Sequence, residues 1–115
     1  MTDATDETLH IAEIPYETGE LRFRFARRRS RDGQAWIREG LFQEFFRNGR
    51  LASEGLFKDD REDGHWREFY ENGELAAEGD YRDGKEQGRW LYWDEDGNPE
   101  ESVEYLDGEE IPDHP

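Results

Sequence analysis

Short runs of bulky apolar residues alternate along the chain with polar clusters that contain glycine, and the alternation recurs at a fixed interval. Gly40, Phe42, Phe45, Phe46, Asn48, Gly49, Leu51, Glu54, Gly55, Phe57 and Asp59 align with Gly64, Trp66, Phe69, Tyr70, Asn72, Gly73, Leu75, Glu78, Gly79, Tyr81 and Asp83 at an offset of 24 residues, without a gap. A further copy opens at Gly88 and keeps Trp90, Trp93, Asp96, Gly97, Tyr105 and Asp107, with Pro99 in place of the leucine and Val103 in place of the second glycine. A degenerate first copy shows as Tyr16, Gly19 and Leu21, six residues out of phase, so an insertion falls between Arg22 and Glu39. Self-similarity at this period is the mark of a stacked repeat architecture, in which each unit is one supersecondary element.

Each unit reads as a β-hairpin, because Asn-Gly or Asp-Gly between two β-prone runs is a strong short-range hairpin signal. Taking Asn72-Gly73 as a two-residue turn sets a register in which Glu71 pairs with Glu74, Tyr70 with Leu75, Glu68 with Ala77, Trp66 with Gly79 and Gly64 with Tyr81 on one face. The other face then pairs His65 with Asp80, Arg67 with Glu78 and Phe69 with Ala76. Each large ring on the first face has a glycine opposite, as Phe42 has Gly55, and the ring is expected to cover the bare backbone there. No segment has a helical period of useful length. The fold class expected is all-β: an antiparallel meander of tandem hairpins forming a single-sheet solenoid.

The expected organisation is an acidic tail over residues 1–8, a degenerate first hairpin with the Arg-rich insertion over 9–39, three hairpin repeats over 40–63, 64–87 and 88–108, and a tail over 109–115. The pattern of glycines, aromatic residues and Asn-Gly turns between Gly40 and Gly108 resembles the MORN-variant repeat, with a weaker echo from Tyr16. Small proteins built of such repeats resemble the YwqK-type antitoxin family. The resemblance implies a β-hairpin solenoid that neutralises a toxin partner.

Composition narrows the chemistry. The 115 residues are 40% charged and 14% aromatic with no cysteine, which excludes a disulfide framework, a thiol nucleophile and a zinc-thiolate site, and makes a reducing cytoplasm the simpler home. Neither a secretory signal nor a run of apolar residues long enough to span a bilayer is visible. Of the three histidines, His10 and His114 fall in expected tails and His65 faces Asp80, which reads as a surface pair in preference to a working base. No serine motif, phosphate loop or zinc-protease motif occurs, and Asp94, Glu95 and Asp96 lack the ligand spacing of a calcium loop. The expectation is a chain without catalytic residues, cofactor or metal site.

Charge is the informative feature. The formal net charge is −16, yet residues 21–53 hold nine basic and three acidic residues, while residues 54–115 hold six basic and 22 acidic ones. The acidic half repels nucleic acid and anionic lipid and attracts a cationic protein surface, such as that of a nuclease or deaminase toxin. The bland alternative is that dense carboxylate keeps an aromatic sheet soluble. The basic patch of Arg27, Arg28, Arg29 and Arg31 either pairs with acids of this chain or of a neighbouring copy, or touches phosphate or lipid head groups. It shows no interleaved aromatics of the kind that bind single-stranded nucleic acid.

One stripe, Phe45, Phe69 and Trp93, lies on the face opposite the denser aromatic set. It is either covered by the segment 9–16 or left open as a partner groove rimmed by Glu54, Glu78 and Asp94. The leading functional expectation is a non-catalytic antitoxin or immunity-like protein that occludes a basic toxin. The alternatives are a scaffold that self-associates through its basic and acidic poles and, less favoured, a membrane-recognition module.

Overall fold

The computed structural model describes residues 8–112. They form one sheet of ten strands: β1 (His10–Pro15), β2 (Leu21–Arg29), β3 (Trp36–Phe45), β4 (Leu51–Lys58), β5 (Arg61–Glu62), β6 (Gly64–Phe69), β7 (Leu75–Arg82), β8 (Lys85–Tyr92), β9 (Val103–Leu106) and β10 (Glu109–Ile111). Every pairing is antiparallel, and strand order follows chain order, with the two-residue β5 attached to the end of β4. The sheet is open, with β1 and β10 at its edges, and its principal extents of 55 × 41 × 20 Å are those of one layer. The all-β hairpin meander expected from the repeat is the observed architecture. Two segments differ from expectation. Residues 109–111 pair with β9 and are not a tail, while the segment around 9–16 supplies edge strand β1 beside β2 and does not cover the Phe45 stripe. The acidic tail expected over residues 1–8 lies outside the described residues except for Thr8, and His114 lies outside them as well.

The turns are distributed differently from the reading of Asn-Gly as a two-residue turn. In the third hairpin Tyr70 N donates to Glu74 O and Gly73 N to Tyr70 O, each at 2.9 Å, so the loop is the three residues Glu71, Asn72 and Gly73. Only the glycine has positive φ, 94° at Gly73 and 89° at Gly49 in the preceding hairpin, which is the geometry of a type I turn closed by a glycine bulge. The asparagine is there for its side chain. Asn72 Oδ1 accepts from Glu74 N, and its Nδ2 donates to Glu95 O in the next turn, both at 2.9 Å. Asn48 repeats the arrangement with Arg50 N and Glu71 O. Adjacent turns are thereby tied into a ladder.

The one-residue change at the turn would move every side chain to the wrong face were it not undone a few residues later. Phe69 pairs with Leu75, replacing the expected Phe69–Ala76 and Tyr70–Leu75 pairs, but Glu68 pairs with Ala77 and Trp66 with Gly79. Ala76 is the extra, bulged residue that restores phase. Ala52 does the same between the Phe45–Leu51 and Glu44–Ser53 pairs. True two-residue turns with both central residues at positive φ occur at the connections: Asp83 and Gly84 (55° and 84°), Asp107 and Gly108 (50° and 87°), and Asp59 and Asp60 (51° and 70°). These turns also stack. Gly84 N donates to Glu62 O and Gly108 N to Glu86 O, and Asp60 N donates to Arg38 O at the first seam.

The core lies on one face, along the seams between repeats. Phe57, Trp66, Ala77 and Trp90 are its buried members, with Phe42, Tyr81, Tyr92 and Tyr105 packed against them. Trp66 is in register with Gly79 inside its own hairpin, yet its ring lies over Gly55 of the preceding repeat, where a Cβ would stand 2.1 Å from the ring. Trp90 covers Gly79 in the same way, at 2.3 Å. The indole N–H groups complete the bridge, Trp66 Nε1 donating to Leu56 O and Trp90 Nε1 to Asp80 O, each at 3.0 Å. Expectation placed each ring on its in-register partner; the structure places it on the glycine across the seam. Burying an aromatic ring of this size stabilises by roughly 2–3 kcal/mol. Here that energy couples neighbouring units, which is what a repeat stack requires. The seam rule is consistent with the departure of the last copy, because no tryptophan follows Val103 in the described strands and no ring there requires bare backbone. At the other end Phe42 packs on Phe23 and Phe25, with ring centroids 5.8 Å apart in both cases.

Candidate functional site

Strand alternation leaves the second face of the sheet with three rows. The first holds Phe45, Phe69 and Trp93, all half-buried, with the Arg67 guanidinium carbon 5.4 Å from the Phe69 ring centroid. The second is a polar ladder: Gln43 Nε2 donates to Glu54 at 2.8 Å, and Arg67 Nη2 to the other oxygen of Glu54 at 2.7 Å. The third holds Leu41 opposite Leu56, followed by His65 and Asp80. Ile11, Leu41, Leu56, Leu91 and Leu106 all project from this face and remain 37–58% exposed. A shallow open depression of about 420 Å³ lies between the leucines and the ladder, lined by Leu41, Leu56, Glu54, His65, Arg67 and Glu78.

The structure thus brings the expected Phe45, Phe69 and Trp93 stripe together with an aliphatic row that sequence reasoning passed over. A signal existed: Leu41 and Leu56 occupy the positions next to Phe42 and Phe57 and so must point away from the core. The expected acidic rim is largely engaged. Gln43 and Arg67 hold the Glu54 carboxyl below its ordinary range, the Gln43 bond contributing most. Glu78 accepts from His65 Nε2 at 2.9 Å, and Asp80 faces His65 Nδ1 at 3.1 Å. With a carboxylate at each nitrogen the ring is matched to its doubly protonated form, and His65 is held above its usual pKa chiefly by Glu78. Asp94 is turned into its own loop, accepting from the Asp96 and Asn98 N–H groups at 2.9 Å, and the Asn98 bond is the main cause that lowers its pKa. Among the described residues, Glu71, Glu74, Glu95 and Asp96 on the neighbouring turns, like Asp94 and Glu100, have no cationic side chain within 4 Å.

The arginine patch divides between the two faces. Arg28 points to the leucine face and pairs with Glu39 at 3.5 Å and with Asp59. Arg27 and Arg29 point to the core-bearing face, where both guanidinium carbons lie over Trp36, 4.0 and 4.2 Å from the ring centroid. Pairing with the chain's own acids accounts for Arg28 alone among the four. The interleaved aromatic residue that the linear sequence did not show is supplied across the ladder, since Trp36 is the register partner of Arg29. His10 meets the edge of the same indole at 5.4 Å.

Among the described residues no three His, Cys, Asp or Glu side chains are grouped to hold a metal ion, and no helix is long and apolar enough to cross a membrane. His65 sits on an exposed surface between two carboxylate acceptors, Glu78 and Asp80.

Comparison with known proteins agrees with the geometry. The family model described as MORN repeat variant matches residues 38–59, 62–83 and 86–107, more than half of the chain. Its three units begin at Arg38, Glu62 and Glu86, the residues whose carbonyls accept the stacking bonds from the connecting turns. No curated protein and no solved structure matches the chain. Repeats of this kind are generally binding scaffolds without catalytic residues, and the seam geometry, the repeat phase and the family match together establish that this chain belongs to the MORN-repeat-variant family.

Proposed function

We infer that this protein is a binding module that docks a basic protein partner on its leucine face and neutralises it by occlusion, in the manner of an antitoxin. The observation that carries the reading is the run of exposed Ile11, Leu41, Leu56, Leu91 and Leu106 on the same face as the Phe45, Phe69 and Trp93 stripe. A row of exposed aliphatic side chains is costly to leave in water and is characteristic of an interaction surface. The polar groups between them, Glu54 with Arg67 and Glu78 with His65, are already paired, so a partner covers them without stranding a charge. Electrostatic selection then falls to Glu71, Glu74, Glu95 and Asp96 along the turn edge, where exposed carboxylates steer a cationic surface toward the face.

The test is co-purification with a basic protein encoded beside this one, at low and physiological salt. A stoichiometric complex that weakens with salt, and is lost in Leu56→Arg and Leu91→Arg, supports the reading. A complex insensitive to both substitutions, or no complex with a basic protein, refutes it.

A further inference from the structure

We propose that the depression between Leu41, Leu56 and Glu78 is the socket for one arginine side chain of the basic partner, an inference that rests on the reading of this face as the docking surface. The repeats differ along this face. The same cross-strand position is Leu41 with Leu56 in one unit, His65 with Asp80 in the next and Arg89 with Glu104 in the last. The last pair is closed on itself, with Arg89 Nε 3.5 Å from Glu104. Leu56 adjoins His65 across the seam, because Glu54, two residues along, is in register with Arg67. At this seam an aliphatic wall meets one that bears carboxylates, and the depression of about 420 Å³ opens between them.

The carboxylate wall is short of donors. Arg67 is the register partner of Glu78, yet its guanidinium crosses the seam to Glu54 at 2.7 Å. Among the described residues Glu78 is left with His65 alone, whose Nε2 lies 2.9 Å from Glu78 Oε2. The same imidazole faces Asp80 through Nδ1 at 3.1 Å. Only the doubly protonated ring donates to both; the neutral ring has one N–H, and one of the two carboxylates then has no donor. A partner's cation on Glu78 supplies it.

Arginine fits both walls. Its methylene stem covers the half-exposed Leu41 and Leu56 while its head stays at the wetter end beside Glu78. A guanidinium gives up less hydration than an ammonium against an apolar wall, and its fork offers a carboxylate two donors. Charge agrees, since Glu54, Glu78 and Asp80 outnumber Arg67, the one permanent cation lining the depression. The depression is shallow and open, which suits a side chain anchored by its own backbone and not a small molecule that binds by enclosure.

His65 links the socket to pH. The charged groups that share its face are Glu54 and Lys58 from β4, Arg67 from its own strand, and Glu78, Asp80 and Arg82 from β7. None is a histidine, the side-chain type that ordinarily titrates between about pH 5 and 8, and His10 packs on Trp36 on the opposite face. An arginine and an imidazolium on one carboxylate repel, so binding strengthens as His65 loses its proton, and by reciprocity the bound arginine lowers the His65 pKa.

The experiment is an NMR titration of the full chain with the peptide acetyl-Gly-Arg-Gly-amide at constant ionic strength, following the Leu41 and Leu56 methyl groups and the His65 ring. Expected at about pH 8 is a saturable shift with a midpoint near ~5 mM, in the range of a small exposed ligand. It should weaken about threefold or more in E78Q, and equally when norleucine replaces arginine in the peptide, and be unchanged in E109Q. The norleucine comparison is made on the wild type and serves where E78Q does not fold. The lysine peptide should bind more weakly than the arginine peptide. At about pH 5.5 the wild-type affinity should fall about threefold, and H65Q should erase that difference. No saturable shift up to about 50 mM overturns the proposal. So does a norleucine or lysine peptide that binds as tightly, equal loss in E109Q, or tighter binding at the lower pH. A complex with a basic protein that Leu56→Arg breaks, in a chain with no peptide response, refutes the socket alone. A peptide response in a chain that captures no basic protein refutes the docking reading alone.

Discussion

Replacing Gly79 by alanine tests the seam on which the architecture depends. The added Cβ would stand 2.3, 2.4 and 2.5 Å from the Cδ2, Cε2 and Cγ atoms of Trp90, where ordinary carbon contacts lie near 3.5–4.0 Å. The indole cannot simply step aside, because it is 3% exposed and its Nε1 is bound to Asp80 O at 3.0 Å. Overpacking of this kind costs about 1–3 kcal/mol, and the lost hydrogen bond costs about 1 kcal/mol more. Against this, alanine in a strand is better than glycine by about 0.5–1 kcal/mol. The net loss expected is about 2–3 kcal/mol, a fall in Tm on the order of 10–20 °C for a domain of this size. The discriminating step is a double-mutant cycle with W90L, followed by urea and thermal unfolding in the far ultraviolet. Without the indole the same Gly79→Ala change should be neutral or stabilising, giving a coupling energy of about 3 kcal/mol. V103G, at the equivalent position, removes a half-buried side chain as well as adding the strand-interior penalty of glycine, and should cost about 1–3 kcal/mol. If Gly79→Ala costs the same with and without Trp90, the ring does not depend on that bare backbone and the seam argument is wrong.

Two further outcomes follow from particular contacts. Tyr16 and Tyr70 each donate a hydroxyl to the next unit's strand, to Phe45 O and Trp93 O at 2.7 Å, while Phe46 in the intervening unit has no hydroxyl. F46Y should therefore gain a bond to Phe69 O and raise stability by about 0.5–1 kcal/mol in urea unfolding, and a loss of stability would refute the equivalence of the turns. His65 is held above its unfolded value near 6.5, so its two carboxylate bonds stabilise the fold fully below that pH and fade as pH rises through the higher folded value. The difference in Tm between wild type and H65Q should narrow over that window, and an NMR pKa at or below 6.5 would remove the basis for it.

Much of this was legible in the chain itself. The period of 24, the all-β class, the pairing of Trp66 with Gly79 and of Phe42 with Gly55, and the family all follow from glycine and aromatic spacing, because such spacing encodes what happens within one hairpin. The aromatic stripe was also legible, since strand alternation places Phe45, Phe69 and Trp93 on a common face. What lies between hairpins was not. Trp66 has a glycine on each neighbouring strand, and only packing decides that its ring turns to Gly55. The Asn-Gly turn and its compensating bulge at Ala76 cancel in register, so the linear pattern is consistent with either turn type until the hydrogen bonds are placed. Which carboxylates remain available, and that Trp36 gathers Arg27 and Arg29, depend on side chains brought together across strands. Spacing alone sets the ladder; the choice among equally spaced neighbours is made by volume and charge in three dimensions.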